Sequence, residues 1–163
     1  MILTKTSADK KLRRMALEIA EHNSNITEIL LIGIKENGIF IAKKIEQFLL
    51  PIFTGSVKTI SLSINKKCPE RIELSEEVNL QNKAILLVDD VANSGRTMLY
   101  ALAPLLERYP SQIETLALVE RTHKLFPVAL NYVGLSVSTK IEENIEVIVD
   151  GGEVMGAVIK IAL

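Results

Sequence analysis

The sequence predicts an α/β fold, a central parallel sheet flanked by helices on both faces. Two observations predict it. Short apolar runs of strand length alternate along the chain with stretches whose apolar residues recur every three or four positions. No linker, internal repeat or low-complexity tract interrupts them, and 163 residues, 48% of them hydrophobic, suffice for one sizeable core. Residues 1–163 are therefore expected to form a single domain.

The elements follow in order. After Ser7, a candidate cap, Leu12, Met15, Ala16 and Ile19 mark a first helix, which Asn23-Ser-Asn25 ends. Glu28–Ile34 reads as a buried strand. Ile39, Ala42, Ile45 and Phe48 or Leu49 mark a second helix that stops near Pro51. Ile60, Leu62 and Ile64 alternate with serines, as in a strand, and the polar, mixed-charge residues 65–82 read as a loop. Ile85–Val88 is the next strand. Met98, Leu99, Leu102, Leu105 and Leu106 form a third helix, in which Pro104 is expected to introduce a kink. Leu116–Val119, Ile145–Val149 and Ala157–Ile161 read as further strands.

Bulk properties narrow the function classes. A net charge of −1 argues against a strongly basic nucleic-acid binder, although Lys5, Lys10, Lys11, Arg13 and Arg14 concentrate positive charge near the N-terminus. The chain has no Trp and only seven Phe and Tyr residues, so it lacks an aromatic stacking surface for bases. No apolar run approaches the ~18 residues of a membrane span. The start carries no apolar signal region, and the single cysteine, Cys68, has no internal disulfide partner. A cytoplasmic protein without membrane contact is expected.

The chemistry concentrates in Ala84-Ile-Leu-Leu-Val-Asp-Asp-Val-Ala-Asn-Ser-Gly-Arg-Thr97. An apolar strand runs into two carboxylates, Asp89 and Asp90. Because an uncompensated carboxylate is costly inside a sheet, both are expected at an exposed strand tip. There they would accept hydrogen bonds from the vicinal hydroxyls of a ribose, directly or through a metal. The small residues that follow bend tightly, so their amides and the next helix N-terminus can converge on a phosphate. Ser94 and Thr97 add hydroxyl donors. Asn93 or Ser94 could equally serve as an ordinary helix cap.

Gly33-Ile-Lys-Glu-Asn-Gly38 has P-loop glycine spacing, but Ile39-Phe40 replaces the required lysine and hydroxyl residue. A receiver domain would need a phosphoacceptor aspartate on a later strand. After Asp90 only Asp150 remains, too close to the end.

Ile85–Thr97 resembles the phosphoribosyl-pyrophosphate signature of the type I phosphoribosyltransferases. Leu12–Ala20, Leu31–Gly38, Leu118-Val-Glu-Arg-Thr-His123, Phe126-Pro-Val128 and Tyr132-Val-Gly134 resemble successive segments of one branch, the bifunctional pyrimidine operon regulators with uracil phosphoribosyltransferase activity. The resemblance implies a small hood over the carboxyl edge of the sheet. It implies that Asp89 and Asp90 hold the ribose hydroxyls, and that Val91, Ala92, Asn93, Ser94, Gly95, Arg96 and Thr97 wrap the 5′-phosphate. Lys35, Glu36, Asn37 and Gly38 would form the pyrophosphate loop, with Lys35 acting in catalysis beside the two aspartates. Arg121 and His123 would lie near the base, and Mg2+ would bridge pyrophosphate and ribose, with Asp89 and Asp90 reaching it through the ribose hydroxyls or water. The partners implied are phosphoribosyl pyrophosphate, a pyrimidine base or nucleotide with uracil foremost, RNA, and a second copy of the chain in a homodimer. The alternative is a nucleotide-sensing, RNA-binding regulator of pyrimidine genes with weak or no turnover.

Three positions depart from that branch. The pyrophosphate loop has one cation, Lys35, and Glu36 beside it would repel pyrophosphate if it faced the site. Asn65-Lys-Lys-Cys-Pro-Glu-Arg71 replaces the usual catalytic loop, leaving Lys66, Lys67 and Arg71 as candidate cations. Thr122 replaces a glycine on the base side. His22, at the end of the first helix, is given no catalytic role.

Overall fold

A computed structural model describes residues 1–65, 68 and 71–161. The element order is β1 (Leu3–Thr4), α1 (Lys5–His22), β2 (Glu28–Ile34), α2 (Gly38–Leu49), β3 (Ser56–Ile64), β4 (Ile72–Leu74), β5 (Ala84–Ala92), α3 (Arg96–Leu106), β6 (Gln112–Arg121), β7 (Tyr132–Val137), β8 (Glu143–Asp150) and β9 (Glu153–Ile161).

Six strands form the main sheet in the order β4-β3-β2-β5-β6-β7. All neighbours are parallel except β4, which pairs antiparallel with β3 through Ser63 opposite Glu73. Side chains alternate across this sheet and divide the core in two. Ile29, Leu31, Leu86 and Val88 pack under α1 and α2 with Leu12, Met15, Ile41 and Ile45. Leu30, Ile32, Ile85 and Leu87 pack on the other face against Met98, Ala101 and Leu105 of α3. Strands buried on both faces read as continuous apolar runs, which is why β2 and the start of β5 stand out in the sequence.

A second sheet, β1-β9-β8, is antiparallel. Leu3, Ile145, Val147, Val154 and Ala157 join it to the core beneath α1 and α2. This is the hood.

Three sequence expectations are corrected. Thr4, not Ser7, caps α1: its Oγ1 accepts the Ser7 amide at 3.3 Å. Residues 65–82 are not wholly loop, since β4 lies within them and closes a hairpin in which the Asn65 amide donates to the Arg71 carbonyl at 3.2 Å. Tyr132–Val137 forms the edge strand β7, which the hydrophobic pattern does not mark. Pro104 lies within α3, in its last turn.

Candidate active site

β2 passes through α2 to β3 on one side of the main sheet, and β5 passes through α3 to β6 on the other. The strand order therefore reverses between β2 and β5, leaving a crevice beyond their carboxyl ends. Both loops singled out in the sequence, Lys35–Gly38 and Val91–Arg96, emerge there. The Lys35–Glu36 peptide bond is cis. Gly38 begins α2 so close to β5 that an added Cβ would lie 2.7 Å from the Val88 carbonyl oxygen and 3.1 Å from the Asp89 Cα. Glycine at this position lets the first loop approach the aspartates.

Asp89 and Asp90 do not stand at an exposed tip. The ladder to β6 continues past them, with Asp89 opposite Ala117 and Ala92 opposite Glu120. Asp89 is buried, 8% exposed. Its Oδ1 accepts the Asp90 amide at 2.9 Å, which offsets part of the cost of leaving water. Burial, and then the neighbouring Asp90 charge, raise the Asp89 pKa well above the ordinary carboxylate value. Asp90 is half-buried, and its Oδ2 accepts from Asn37 Nδ2 at 3.0 Å.

Asp90 lines a cleft of about 440 Å³. The walls carry two cations, Lys35 and Arg96, and two carboxylates, Glu36 and Asp90, with Asn37 and Thr97 between them. Ile34, Ile64 and Tyr100 add apolar surface. A hollow of about 110 Å³ lies beside Asp89, bounded by Val91–Gly95 and the first turn of α3 at Thr97 and Met98. Gly95 is the N-cap of α3 at φ 82, and no side chain caps that helix. Of its first-turn amides, those of Thr97 and Met98 are thus left for a ligand. A Cβ on Gly95 would meet Val128 Cγ1 at 2.7 Å. Ser94 Oγ accepts the Arg96 amide at 3.2 Å. Asn93 does not act as a helix cap, because its carboxamide is bonded to Ile145 of the hood.

Arg121 and His123 line neither cavity. Both are held by the connection between β7 and β8: Arg121 Nη2 donates to the Lys140 carbonyl at 2.5 Å, and His123 Nε2 to the Thr139 carbonyl at 2.8 Å. With its proton on Nε2, His123 can accept the Thr122 hydroxyl at Nδ1, 3.2 Å away, so the departing residue Thr122 helps fix the tautomer. Arg71 lines a separate groove with Pro104, Glu107 and Arg108. Lys66 and Lys67 lie outside the described residues. His22 Nδ1 lies 3.3 Å from the Tyr132 hydroxyl and lines neither cavity.

Three further residues, Tyr100 in the cleft and Glu120 and Lys124 beside the second loop, were not singled out by the sequence pattern. Tyr100 follows Arg96 by one helical turn, and that spacing was the available signal. Glu120 and Lys124 form an ion pair at 2.7 Å with side chains 19% and 13% exposed. Burial pushes the Glu120 pKa up, but hydrogen bonds from Lys124 and Ser136 and the Lys124 charge outweigh it, and the net shift is downward. Lys124 also passes the second loop, with its Cδ 3.7 Å from where a Gly95 Cβ would be.

A crevice with adjacent carboxylates, an uncapped helix start and two loops at a switch point suits a phosphorylated sugar. Residues 1–151 match the phosphoribosyl transferase domain family. The chain belongs to the phosphoribosyltransferase family. It is similar to the protein named "Bifunctional protein PyrR" in several bacteria. The Staphylococcus carnosus protein is 31% identical over 169 residues, covering 98% of this chain and 97% of its own. That of Staphylococcus epidermidis is 31% identical over 157 residues, 90% of each chain. Among solved structures, the hypoxanthine phosphoribosyltransferase of Trypanosoma cruzi superposes with a TM-score of 0.76 at 15% identity, over 85% of this chain and 81% of its own. A Bacillus anthracis hypoxanthine-guanine phosphoribosyltransferase gives 0.70 at 18%, over 85% and 81%. These likenesses show the type I phosphoribosyltransferase fold. Phosphoribosyltransferases use phosphoribosyl pyrophosphate to transfer phosphoribose to a base, and this chain is a member of that enzyme family.

Proposed function

We propose that the base is uracil and that the reaction is displacement of pyrophosphate from ribose C1 by a ring nitrogen. The observation that carries the phosphoribosyl part of this reading is the juxtaposition of the Asp89-Asp90 pair with the start of α3 at the β2–β5 switch point, while the choice of uracil follows the branch the sequence resembles. In it, the backbone of Val91–Thr97 holds the 5′-phosphate, Asp89 and Asp90 accept from the ribose hydroxyls, and Lys35 with Arg96 faces the leaving group. Positive charge developing on the sugar ring is stabilised by Asp90, and negative charge on the leaving group by the cations. Little covalent chemistry is asked of the chain, so positioning supplies most of the acceleration.

Among the described residues the cleft sets two cations against two carboxylates. That charge balance suits a substrate that arrives with Mg2+. No group of three or more His, Cys, Asp or Glu among the described residues could hold the ion alone, so substrate oxygens would complete a site at Asp90, with Asp89 behind it. When bound, the ion would neutralise the leaving pyrophosphate.

The experiment is pyrophosphate release from phosphoribosyl pyrophosphate and Mg2+ across a panel of pyrimidine and purine bases. Release with uracil above all others supports the reading. Release only with a purine overturns the choice of base, and no release with any base overturns the catalytic role.

The regulator reading has one observation in its favour, the similarity to proteins whose name is bifunctional. Of the basic residues near the N-terminus, Lys5 pairs with Glu153, Arg14 with Glu18, and Arg13 lies 4.4 Å over the Phe48 ring. Lys10 and Lys11 are then the natural contacts for RNA phosphates. RNA affinity that changes with uridine nucleotide supports it, and affinity indifferent to nucleotide and RNA sequence opposes it. The reading takes residues 1–163 as one domain of a cytoplasmic homodimer, following the branch the sequence resembles. No helix among the described residues is long and apolar enough to cross a membrane.

A further inference from the structure

β8 is an edge strand of the hood, so the outer side of its backbone lacks a neighbouring strand among the described residues. Two positions on that edge are taken by side-chain amides from the two ligand loops. Asn93 donates from Nδ2 to the Ile145 carbonyl at 2.9 Å and accepts the Ile145 amide at Oδ1, 3.1 Å away. Both bonds fall on one residue, so the carboxamide stands where the peptide of a further strand would. Two residues on, the Val147 carbonyl accepts from Asn37 Nδ2 at 3.2 Å. The Ile145 and Val147 side chains are buried in the core under α1 and α2, so this stretch of β8 is anchored from inside as well.

We propose that the Asn93 side chain is a positioning residue that sets the height of the hood above the second loop and thereby the slot for the base. The proposal rests on the reading of Val91–Thr97 as the 5′-phosphate loop. A ribose phosphate held by that loop projects its C1 substituent outward, and a flat base there needs a gap of fixed width beneath the hood. The carboxamide supplies both the donor and the acceptor that Ile145 takes up. A carboxylate has no donor for the Ile145 carbonyl and would set two acceptors face to face, and alanine would leave both backbone groups to water. The role is separable from phosphate binding, since the backbone of Asn93 stays free for the anion while its side chain is engaged elsewhere.

The test compares ribose 5-phosphate with uridine 5′-monophosphate by calorimetry on the wild type, Asn93→Asp and Asn93→Ala, with amide exchange at Ile145 followed in parallel. The alanine variant decides if the aspartate variant does not fold. The expected result is a ratio of uridine monophosphate affinity to ribose 5-phosphate affinity that falls about tenfold, and faster exchange at Ile145. Equal loss of both ligands would assign the side chain to the phosphate and overturn the proposal. Unchanged nucleotide affinity, unchanged exchange at Ile145, or a wild type that gains nothing from the base would also overturn it. A wild type that binds neither ligand would instead remove the phosphate-loop reading beneath it.

Discussion

The Asn37 carboxamide lies 3.0 Å from the Asp90 carboxylate across 53 residues of sequence. Asn37 is also the N-cap position of α2, yet its side chain makes no capping bond. Helix capping is given up to orient an acid in the cleft. Asn37→Leu keeps the volume and removes the donor. It should weaken phosphoribosyl-pyrophosphate binding about tenfold, the scale of a hydrogen bond to a charged group. Asn37→Asp should weaken it further, by setting like charges side by side. Calorimetric titration of the three proteins checks both.

Asp89 links stability to pH. Its folded pKa is raised by burial and by Asp90, so the contribution it makes is present in full below the unfolded value and is lost as pH rises through the folded value. At neutral pH, above the unfolded value, Asp89 therefore costs stability relative to acid. Asp89→Asn should raise Tm at pH 7 to 8 and leave it little changed near pH 4, while weakening ligand binding. Melting curves across that range for both proteins measure the difference, and a variant less stable than wild type at every pH would contradict it.

Lys124 keeps the partly buried Glu120 ionised. Lys124→Met should cost about 1–3 kcal/mol at neutral pH, between the values for exposed and buried pairs. Because the Glu120 pKa is depressed, the stabilising contribution exists above the unfolded value and is lost as pH falls through the folded one. The difference in unfolding free energy between Lys124→Met and wild type should therefore shrink in acid, which denaturant titrations at two pH values would show.

Much of the frame was legible because burial on both faces writes itself as an apolar run. β2 forms over the predicted residues Glu28–Ile34, and α2 covers the residues whose spacing marked it. β4 and β7 were missed for physical reasons. Ile72–Leu74 is three residues in a charged stretch and exists by pairing with β3. Tyr132–Val137 carries Gly134 and Ser136 and is held at the sheet edge by β6. At the site, the pattern of residues 85–97 located the crevice. The penalty for a buried carboxylate misled over Asp89, since its compensating donor is the next amide in the chain. The bonds from Asn37 and Asn93 to the hood span 110 and 52 residues, and no local spacing encodes them.

The most direct measurement is the affinity for phosphoribosyl pyrophosphate with Mg2+, in wild type and in the Asp89→Asn, Asp90→Asn double variant. Binding by the wild type, lost by about a hundredfold or more in a double variant that still melts cooperatively, is the predicted result, two charge-assisted contacts being removed at once. Equal affinity in the two folded proteins would contradict the assignment of Asp89 and Asp90 to the ribose.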